Sequence, residues 1–499
     1  MSNSIHITAG SRILVSIDNF EIPENHITLL LGESGIGKSL IAKSLYGLLD
    51  GDELTVTIDG KPYRNHLDKV ETKRLQYESF VVFQEPSSHL NPLMTLSSQI
   101  REGSLASSPN EETILRQLWR NSVPADVQKL FEVYPKPHRP SGGEKQRVLL
   151  AMAFKKIDAL LAKGHLPTEE LFVFDEPTGS LDNAYRDLFL DMLVERFRVM
   201  NFTCLIITHD YSMMGKIHDT YKDVLKKVSF KELTLHGDGV KLQEFKPKLY
   251  LDWLHNLKLQ ESKPDATKKL LLKSESGAKV FGRVLGVFRD KSFTSECPLM
   301  LHAGDLVYLK AASGVGKTSL VKLLMGLFKA DRLDAQLDGV HLTEYTPRTL
   351  WQKSIWGKKM TMVFQHADEA LNPESTVRGI FGGLPTLQQP SDSRLIEILS
   401  ELFEMENFAA FLNKKVKHLS GGQKQRLNLL RGFALDTDIL ILDEPLNGLD
   451  FESSGKVIDL IQRKQSTGKG ILLISHNEEI FDKLVSYENL YYLKAGRID

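Results

Sequence analysis

Two short stretches combine glycines with a lysine and a hydroxyl residue: "GESGIGKS" at 32–39 and "AASGVGKT" at 311–318. Such glycines let backbone N–H groups point at phosphate oxygens, and the start of the next helix adds positive potential. The lysine can reach the terminal phosphates, and the hydroxyl can bind Mg²⁺. We therefore predict two phosphate-binding loops, which contain Gly32, Ser34, Gly35, Gly37, Lys38 and Ser39, and Ser313, Gly314, Gly316, Lys317 and Thr318. The second loop begins with Ala311 instead of glycine, which leaves open whether the two sites are equally active.

Paired acids end two apolar runs, "LFVFDE" with Asp175 and Glu176 and "ILILDE" with Asp443 and Glu444. Continuous apolar runs of this length are typical of buried parallel strands. Adjacent residues on a strand face opposite ways, so one acid of each pair can hold Mg²⁺ while the other polarises a water. His209 and His476 follow the next apolar runs. Since ligands collect at the carboxyl ends of parallel strands, we expect these groups to converge with the loops.

These motifs form a duplication. Lys38 and Lys317 stand 279 positions apart, and the other paired motifs follow in the same order, with the spacing falling to 268 at Asp175 and Asp443. The first copy therefore has about 11 extra residues within "KKIDALLAKGHLPTEE", which we interpret as a surface insertion. We predict a first domain at 1–240, a Lys-rich linker at 241–278 and a second domain at 279–499.

Composition excludes several classes of protein. The 499 residues carry 63 basic and 64 acidic side chains, so no overall field favours nucleic acid or anionic lipid. Two cysteines far apart, Cys204 and Cys297, support neither a disulfide framework nor a cysteine metal site. The N-terminus lacks the pattern of a secretory signal. No stretch approaches the roughly 20 apolar residues of a membrane span.

The ordered motifs resemble the ATP-binding cassette (ABC) family across nearly the whole chain, twice. Besides the loops and the "DEP" acids, "FQ" occurs at Gln84 and Gln365, and "SGGEKQR" and "SGGQKQR" are similar to the family's signature sequence. The resemblance implies an α/β fold of two tandem P-loop ATPase domains, each a mixed, mainly parallel sheet core with a helical signature subdomain. It also implies that ATP and Mg²⁺ are the cofactors. The implied Mg²⁺ shell is Ser39, Gln84 and Asp175 in the first copy and Thr318, Gln365 and Asp443 in the second.

The same resemblance implies roles for further residues. Glu176 and Glu444 would be the general bases, with His209 and His476 near the γ-phosphate. The signature residues Ser141, Gly142 and Gly143, and Ser420, Gly421 and Gly422, would grip the ATP bound by the loop of the other domain. The two domains of one chain would thus pair head to tail. An aromatic residue that stacks on adenine is not evident in the first copy; Phe281 or Phe288 could serve in the second.

The "LNP" that follows each glutamine, in "FQEPSSHLNP" and "FQHADEALNP", resembles the peptide and nickel import branch of the family. That branch implies two integral-membrane permeases and an external substrate-binding protein as partners. The chain would then lie on the cytoplasmic face of the membrane as a peripheral subunit. No nucleic acid partner is expected. Two alternatives stay open: a soluble tandem ATPase that acts on ribosomes, and an accessory of phosphonate breakdown.

Overall fold

The computed structural model describes residues 2–10, 12–102, 111–119, 136–138, 140–162, 164, 170–179, 183–236, 239–258, 268–312, 314–385, 387 and 390–497. The chain divides into two compact units, 1–251 and 252–499. Each unit has its own sheets and its own hydrophobic core, so each is described by itself.

The strands of the first unit belong to two sheets. They are β1 Ser2–Ala9, β2 Arg12–Glu21, β3 Ile27–Gly32, β4 Thr55–Ile58, β5 Lys61–Pro62, β6 Phe80–Val82, β7 Leu171–Asp175, β8 Thr203–Ile207, β9 Val228–His236 and β10 Gly239–Glu244. The helices are α1 Lys38–Leu45, α2 Tyr63–Leu67, α3 Val70–Glu78, α4 Leu96–Ile100, α5 Glu111–Leu118, α6 Gly142–Ala162, α7 Asn183–Val199, α8 Ser212–Thr220 and α9 Pro247–Asn256, within which the division of the chain falls.

The second unit has a similar set of strands and helices. Its strands are β11 Leu270–Ser274, β12 Ala278–Val280, β13 Arg283–Phe288, β14 Leu299–His302, β15 Leu306–Lys310, β16 Asp334–Leu337, β17 Val340–Thr343, β18 Met360–Val363, β19 Ile439–Asp443, β20 Gly470–Ile474 and β21 Leu490–Arg497. Its helices are α10 Lys317–Leu324, α11 Arg348–Leu350, α12 Ala367–Ala370, α13 Val377–Phe381, α14 Asp392–Ser400, α15 Phe408–Asn413, α16 Gly421–Ala434, α17 Phe451–Ser466 and α18 Glu478–Phe481.

The central sheet of each unit is mixed and mainly parallel. In the first unit the order is β10-β9-β3-β8-β7-β6, and only β10 runs antiparallel to its neighbour. In the second it is β12-β13-β21-β15-β20-β19-β18, with the parallel part from β21 to β18. An antiparallel four-stranded sheet completes each unit, β2-β1-β4-β5 or β14-β11-β16-β17. The predicted α/β class is confirmed.

Burial explains the central strands. Every residue of β7, β8, β19 and β20 is buried, as expected for strands that helices cover on both faces. The first core joins Leu30, Val173 and Leu205 of neighbouring strands, and the second joins Leu309, Ile441 and Leu472. The residues predicted to do chemistry therefore emerge from rigid, fully buried strands.

The prediction of a surface insertion in the first copy is wrong for its described part. Residues 155–162 of this stretch belong to α6, which has 21 residues where α16 has 14, so that α6 is longer by residues 156–162. Lys155 is 1% exposed and donates from Nζ to the carbonyl of Ile100 (2.9 Å) and to Glu111 Oε2 (2.6 Å). Asp158 accepts two hydrogen bonds from Arg196 at 2.7 and 2.9 Å. The extra turns thus form a packed helix that polar partners hold in place.

The stretch predicted as a linker contains regular structure in its described part. It includes most of β10, which pairs with β9, and all of α9 and β11. Residues 259–267 lie outside the described residues. The proposed domain boundaries themselves stay a prediction. Among the described residues, no helix has both the length and the apolar content that crossing a membrane requires.

The pair that holds the extended α6 makes a testable prediction about stability. Asp158→Ala leaves the guanidinium of Arg196, which is 11% exposed, without its carboxylate, so we expect a loss of roughly 3 kcal/mol in the free energy of unfolding. Glu112→Ala is the matched control, because its pair with Arg116 is exposed and should contribute less than about 1 kcal/mol. Urea unfolding measures both. Equal effects of the two substitutions would contradict the buried role of Asp158.

Candidate active sites

The first phosphate-binding loop lies between β3 and α1. Gly35 and Gly37 have φ of 78° and 111°, a region that glycine enters without strain. Gly32 has φ of 140°, and a Cβ there would lie 2.5 Å from the carbonyl oxygen of Leu233 on β9. Only glycine fits this first position.

The second loop reproduces the turn with one difference. Gly314 and Gly316 have φ of 78° and 116°, almost the same as their counterparts. Ala311 does not share the positive φ of Gly32. The ladder of β3 with β9 extends to Gly32, whereas the ladder of β15 with β21 ends at Lys310, one residue before Ala311. The alanine is therefore tolerated because the backbone is less closely paired there. Ser313 lies outside the described residues.

Both loop lysines are buried and turned across their own loops. Lys38 Nζ donates to the carbonyls of Gly32 (2.7 Å) and Glu33 (3.0 Å). Lys317 Nζ donates to the carbonyl of Ala311 (2.6 Å). Each loop thus concentrates positive charge where its backbone N–H groups gather, which suits a phosphate group.

The aspartates at the strand ends meet the loop hydroxyls. Thr318 Oγ1 donates to Asp443 Oδ2 at 2.8 Å, and the Ser39 hydroxyl lies near Asp175 and lowers its pKa against the larger effect of burial. The other carboxylate oxygen, Oδ1, of both aspartates is buried and has no partner among the described residues. Burial raises the pKa of Asp175 to about 6 and also raises that of Asp443.

A buried carboxylate oxygen without a partner, beside a hydroxyl, fits one side of a Mg²⁺ shell. In the described part of the chain, no group of three or more His, Cys, Asp or Glu side chains could hold a metal ion by itself. Mg²⁺ usually binds one or two carboxylates together with substrate phosphates and water, so the donors present suit a nucleotide-bound ion.

The glutamates adopt a strained backbone conformation in both units. Glu176 has φ of 47° and Glu444 has φ of 51°, which costs a non-glycine residue on the order of 1–3 kcal/mol. Each backbone N–H is fixed by the next strand: Glu176 donates to the carbonyl of Ile207 (2.9 Å) and Glu444 to that of Ile474 (2.8 Å). Such strain is common where a side chain must be aimed at a reaction.

In the first unit, the glutamate contacts the predicted histidine. His209 Nδ1 lies 2.7 Å from Glu176 Oε1, and Thr208 Oγ1 donates to Glu176 Oε2 at 3.4 Å. Burial raises the pKa of Glu176, but the adjacent imidazole together with Lys38 and Thr208 outweighs burial, so the pKa lies below its ordinary value. Burial lowers the pKa of His209, yet Glu176 outweighs burial and the net shift is upward.

In the second unit, the glutamate is held differently. Glu444 Oε2 accepts from Ser475 Oγ and from the backbone N–H of His476, each at 3.0 Å, while His476 Nε2 lies 3.5 Å from Glu444 Oε1. Burial raises the pKa of Glu444 to about 7. The same motif therefore supports two different electrostatic environments.

The predicted glutamines and signature residues lie on separate elements. Gln84 is exposed just after β6, and Gln365 is half-buried just after β18. The signature serines, Ser141 and Ser420, directly precede α6 and α16. Ser141 exchanges hydrogen bonds with Glu144, as Ser420 does with Gln423, which forms a capping box at each start. The next glycines, Gly142, Gly143, Gly421 and Gly422, then present the N–H groups that a helix leaves without acceptors.

Sequence reasoning missed the hydroxyls that precede the histidines. Thr208 and Ser475 both contact the neighbouring glutamate. The signal was present, because both copies of the histidine motif, "IITHD" and "LISHN", have a hydroxyl at this place.

The two aromatic candidates for adenine stacking, Phe281 and Phe288, lie in different surroundings. Phe281 is 70% exposed in a turn and packs edge-on against Phe328, whereas Phe288 packs edge-on against Phe293. Arg283 Nη1 donates to the carbonyl of Gly314 at 3.3 Å. Phe281 is therefore on the strand hairpin that approaches the second loop, and its role stays a prediction.

A family model described as "ABC transporter" matches residues 15–179 and 295–447, once in each unit. The chain belongs to the ABC transporter family. Like other ABC proteins it is an ATP-binding ATPase, and the tandem arrangement of two such domains confirms the resemblance found in the sequence.

Curated relatives include ATP-binding proteins whose names state transport or import. The Peptidoglycan transport ATP-binding protein YejF of Agrobacterium fabrum is 26% identical, covering 100% of this chain and 90% of that protein. The Glutathione import ATP-binding protein GsiA of Shigella boydii is 24% identical, covering 95% of this chain and 81% of that protein.

Two solved structures share the fold of this chain. The archaeal ribosome recycling factor aABCE1, solved with a ribosomal stalk protein, aligns over 98% of this chain and 89% of its own with a TM-score of 0.63. An RNase-L inhibitor aligns over 95% of this ABC chain and 86% of its own with a TM-score of 0.61. The identities are 16% and 17%, so the likeness shows the fold alone.

The difference between the loops predicts unequal effects of exchanging their first residues. Gly32→Ala places a Cβ against Leu233 and strains the backbone, so we expect ATP to bind the first unit at least about tenfold more weakly. Ala311→Gly should leave the affinity for ATP unchanged, because that position needs no positive φ. Titration with a fluorescent ATP analogue measures both. If Ala311→Gly weakens ATP binding, or if Gly32→Ala leaves it unchanged, the structural explanation of the two first positions is wrong.

Proposed function

We propose that this ABC ATPase is the energy-coupling subunit of an importer of the peptide or nickel type, which drives separate membrane permeases. The observation that carries the hydrolytic part is the repeated strand end, where an aspartate with a buried partnerless oxygen is followed by a strained glutamate. Both units keep this arrangement, so both sites hydrolyse ATP. The pairing of the two domains around ATP stays a prediction.

Within each site, the residues divide the work. Lys38 and Lys317, with the N–H groups of their loops, bind the phosphates. Glu176 and Glu444 orient and polarise the attacking water as general bases. His209 and His476 lie near the γ-phosphate and contact it. Mg²⁺, when bound, neutralises developing phosphate charge. The residues that would hold it are Ser39, Gln84 and Asp175, and Thr318, Gln365 and Asp443.

The import part rests on the relatives whose names state transport of peptidoglycan or import of glutathione, and on the "LNP" motifs. Both substrates named there contain peptide groups, which supports a peptide-like cargo. As a permease-driving subunit, the chain would bind two integral-membrane proteins at the cytoplasmic face, with an external protein supplying the cargo. The alternative is a soluble tandem ATPase, such as a ribosome-associated one, with which this chain shares its fold.

The assignment of the bases predicts the behaviour of two substitutions. Glu176→Gln and Glu444→Gln keep the side-chain shape but remove the base, so each should lower kcat while ATP still binds, and Glu176→Gln should lower it by at least about tenfold. Steady-state hydrolysis and ATP binding are measured for each variant. Glu112→Gln, at an exposed helical position, should keep the parental rate. If both variants at the strand ends hydrolyse ATP at the parental rate, the base assignment is wrong.

The import proposal predicts which proteins accompany the chain. A tagged chain purified from cross-linked native cells should retain two integral-membrane proteins, identified by mass spectrometry. Their recovery should increase in Glu176→Gln, because slowed hydrolysis prolongs the ATP-bound state. Recovery with ribosomes and without permeases would overturn import and support the ribosome-associated alternative.

A further inference from the structure

In the first unit, charged side chains tie the loop after β8 to α7. Arg186 on α7 is 8% exposed; its Nη1 donates to Ser212 Oγ and lies 3.8 Å from Asp210 Oδ2. Asp210 Oδ1 in turn accepts from the backbone N–H of Ser212 at 2.9 Å. The residue directly after His209 is therefore fixed to the helix.

The same loop is fixed to the glutamate on its other side. His209 Nδ1 contacts Glu176 Oε1, and Thr208 donates to Glu176 Oε2. Thr208 Oγ1 also accepts from the backbone N–H of Asp210 at 3.0 Å. Residues 208–210 thus connect the glutamate directly with Arg186.

The charges along this connection alternate in sign. Lys216 lies 3.5 Å from Asp187 Oδ2, Asp187 Oδ1 accepts from Arg186 at 2.9 and 3.0 Å, and Arg186 faces Asp210. A buried guanidinium is stable only when its charge is compensated. Arg186 therefore holds Asp210 in place next to His209, whose pKa Asp210 helps to raise after Glu176.

The second unit lacks both charges. The register of the two copies places Ser454 and Asn477 where the first has Arg186 and Asp210. There Glu444 accepts instead from Ser475 and from the backbone N–H of His476. The two histidine loops are thus supported by different chemistry, although their motifs match.

We propose that Arg186 and Asp210 are positioning residues of the first ATP site: they hold His209 against Glu176, and the two sites of the chain turn over unequally because the second lacks this support. The inference rests on the proposed function, in which both sites hydrolyse ATP. It assigns the inequality to the histidine loops and not to Ala311.

The test installs the residues of the second unit in the first. Asp210→Asn and Arg186→Ser should each lower kcat of the full chain roughly tenfold with KM for ATP within about twofold, because the support acts on chemistry and not on binding. The double variant should lose no more than either single variant, since the pair acts as one unit. An unchanged kcat in the single variants, or additive losses in the double, would overturn the proposal.

The double variant also decides the matter if a single variant misfolds, because it leaves neither charge of the pair uncompensated; its kcat should still fall roughly tenfold. Asp223→Asn is the matched control: it removes an exposed pair with Arg198 on the same helix, 2.7 Å apart, and should keep the parental kcat. The glutamate variants distinguish failure of the proposed function from failure of this inference. If Glu176→Gln and Glu444→Gln both keep the parental rate, the base assignment of the proposed function fails; if Glu176→Gln slows hydrolysis and the Arg186 and Asp210 variants do not, only this inference fails.

Discussion

The sites depend on the parallel register of three strands. In the first unit Leu30 of β3 and Asp175 of β7 both stand opposite Ile207 of β8, so the loop, the acids and the histidine loop all leave the sheet at one edge. The second unit repeats this, with β20 between β15 and β19. A slip of one residue would turn Asp175 and Glu176 to the opposite faces of the sheet. Since these strands are buried throughout, such a slip would also expose apolar side chains, and the core thereby fixes the site.

This register also explains the strain at the glutamates. The N–H of each glutamate continues the ladder to the neighbouring strand, although its φ is already positive. The ladder therefore holds the backbone in a conformation that the residue alone would leave. The fold thus turns the carboxylate toward the histidine loop. The stability of the core strands offsets the free-energy cost of the strained backbone at the glutamate.

Much of the site could be predicted from the sequence, because its reactive residues stand directly beside strands and helices that have a clear hydrophobic pattern. Glycines, buried runs and strand-ending acids each carry their own physical reason. The strained φ of Glu176 could not be predicted, since nothing local distinguishes it from a relaxed glutamate. Lys155 opens the stretch that we interpreted as a surface insertion, and its partners, Ile100 and Glu111, stand 55 and 44 positions away in the chain. When the hydrogen-bond partners of a buried charge are distant in the chain, the residues around that charge show no sequence pattern that reveals its burial.

Ala311 shows that a position which is glycine in the motif does not need glycine in every structure that carries the motif. Read as a pattern, the alanine is a departure from the glycine that begins the loop. Gly32 needs to be glycine because its strand stays paired up to that residue, which places the Leu233 carbonyl where a Cβ would lie. In the second unit the pairing stops at Lys310, so the demand for glycine disappears while Gly314 and Gly316 still shape the turn. The constraint at the first position thus comes from the neighbouring strand and not from phosphate, and a loop without that glycine keeps its form.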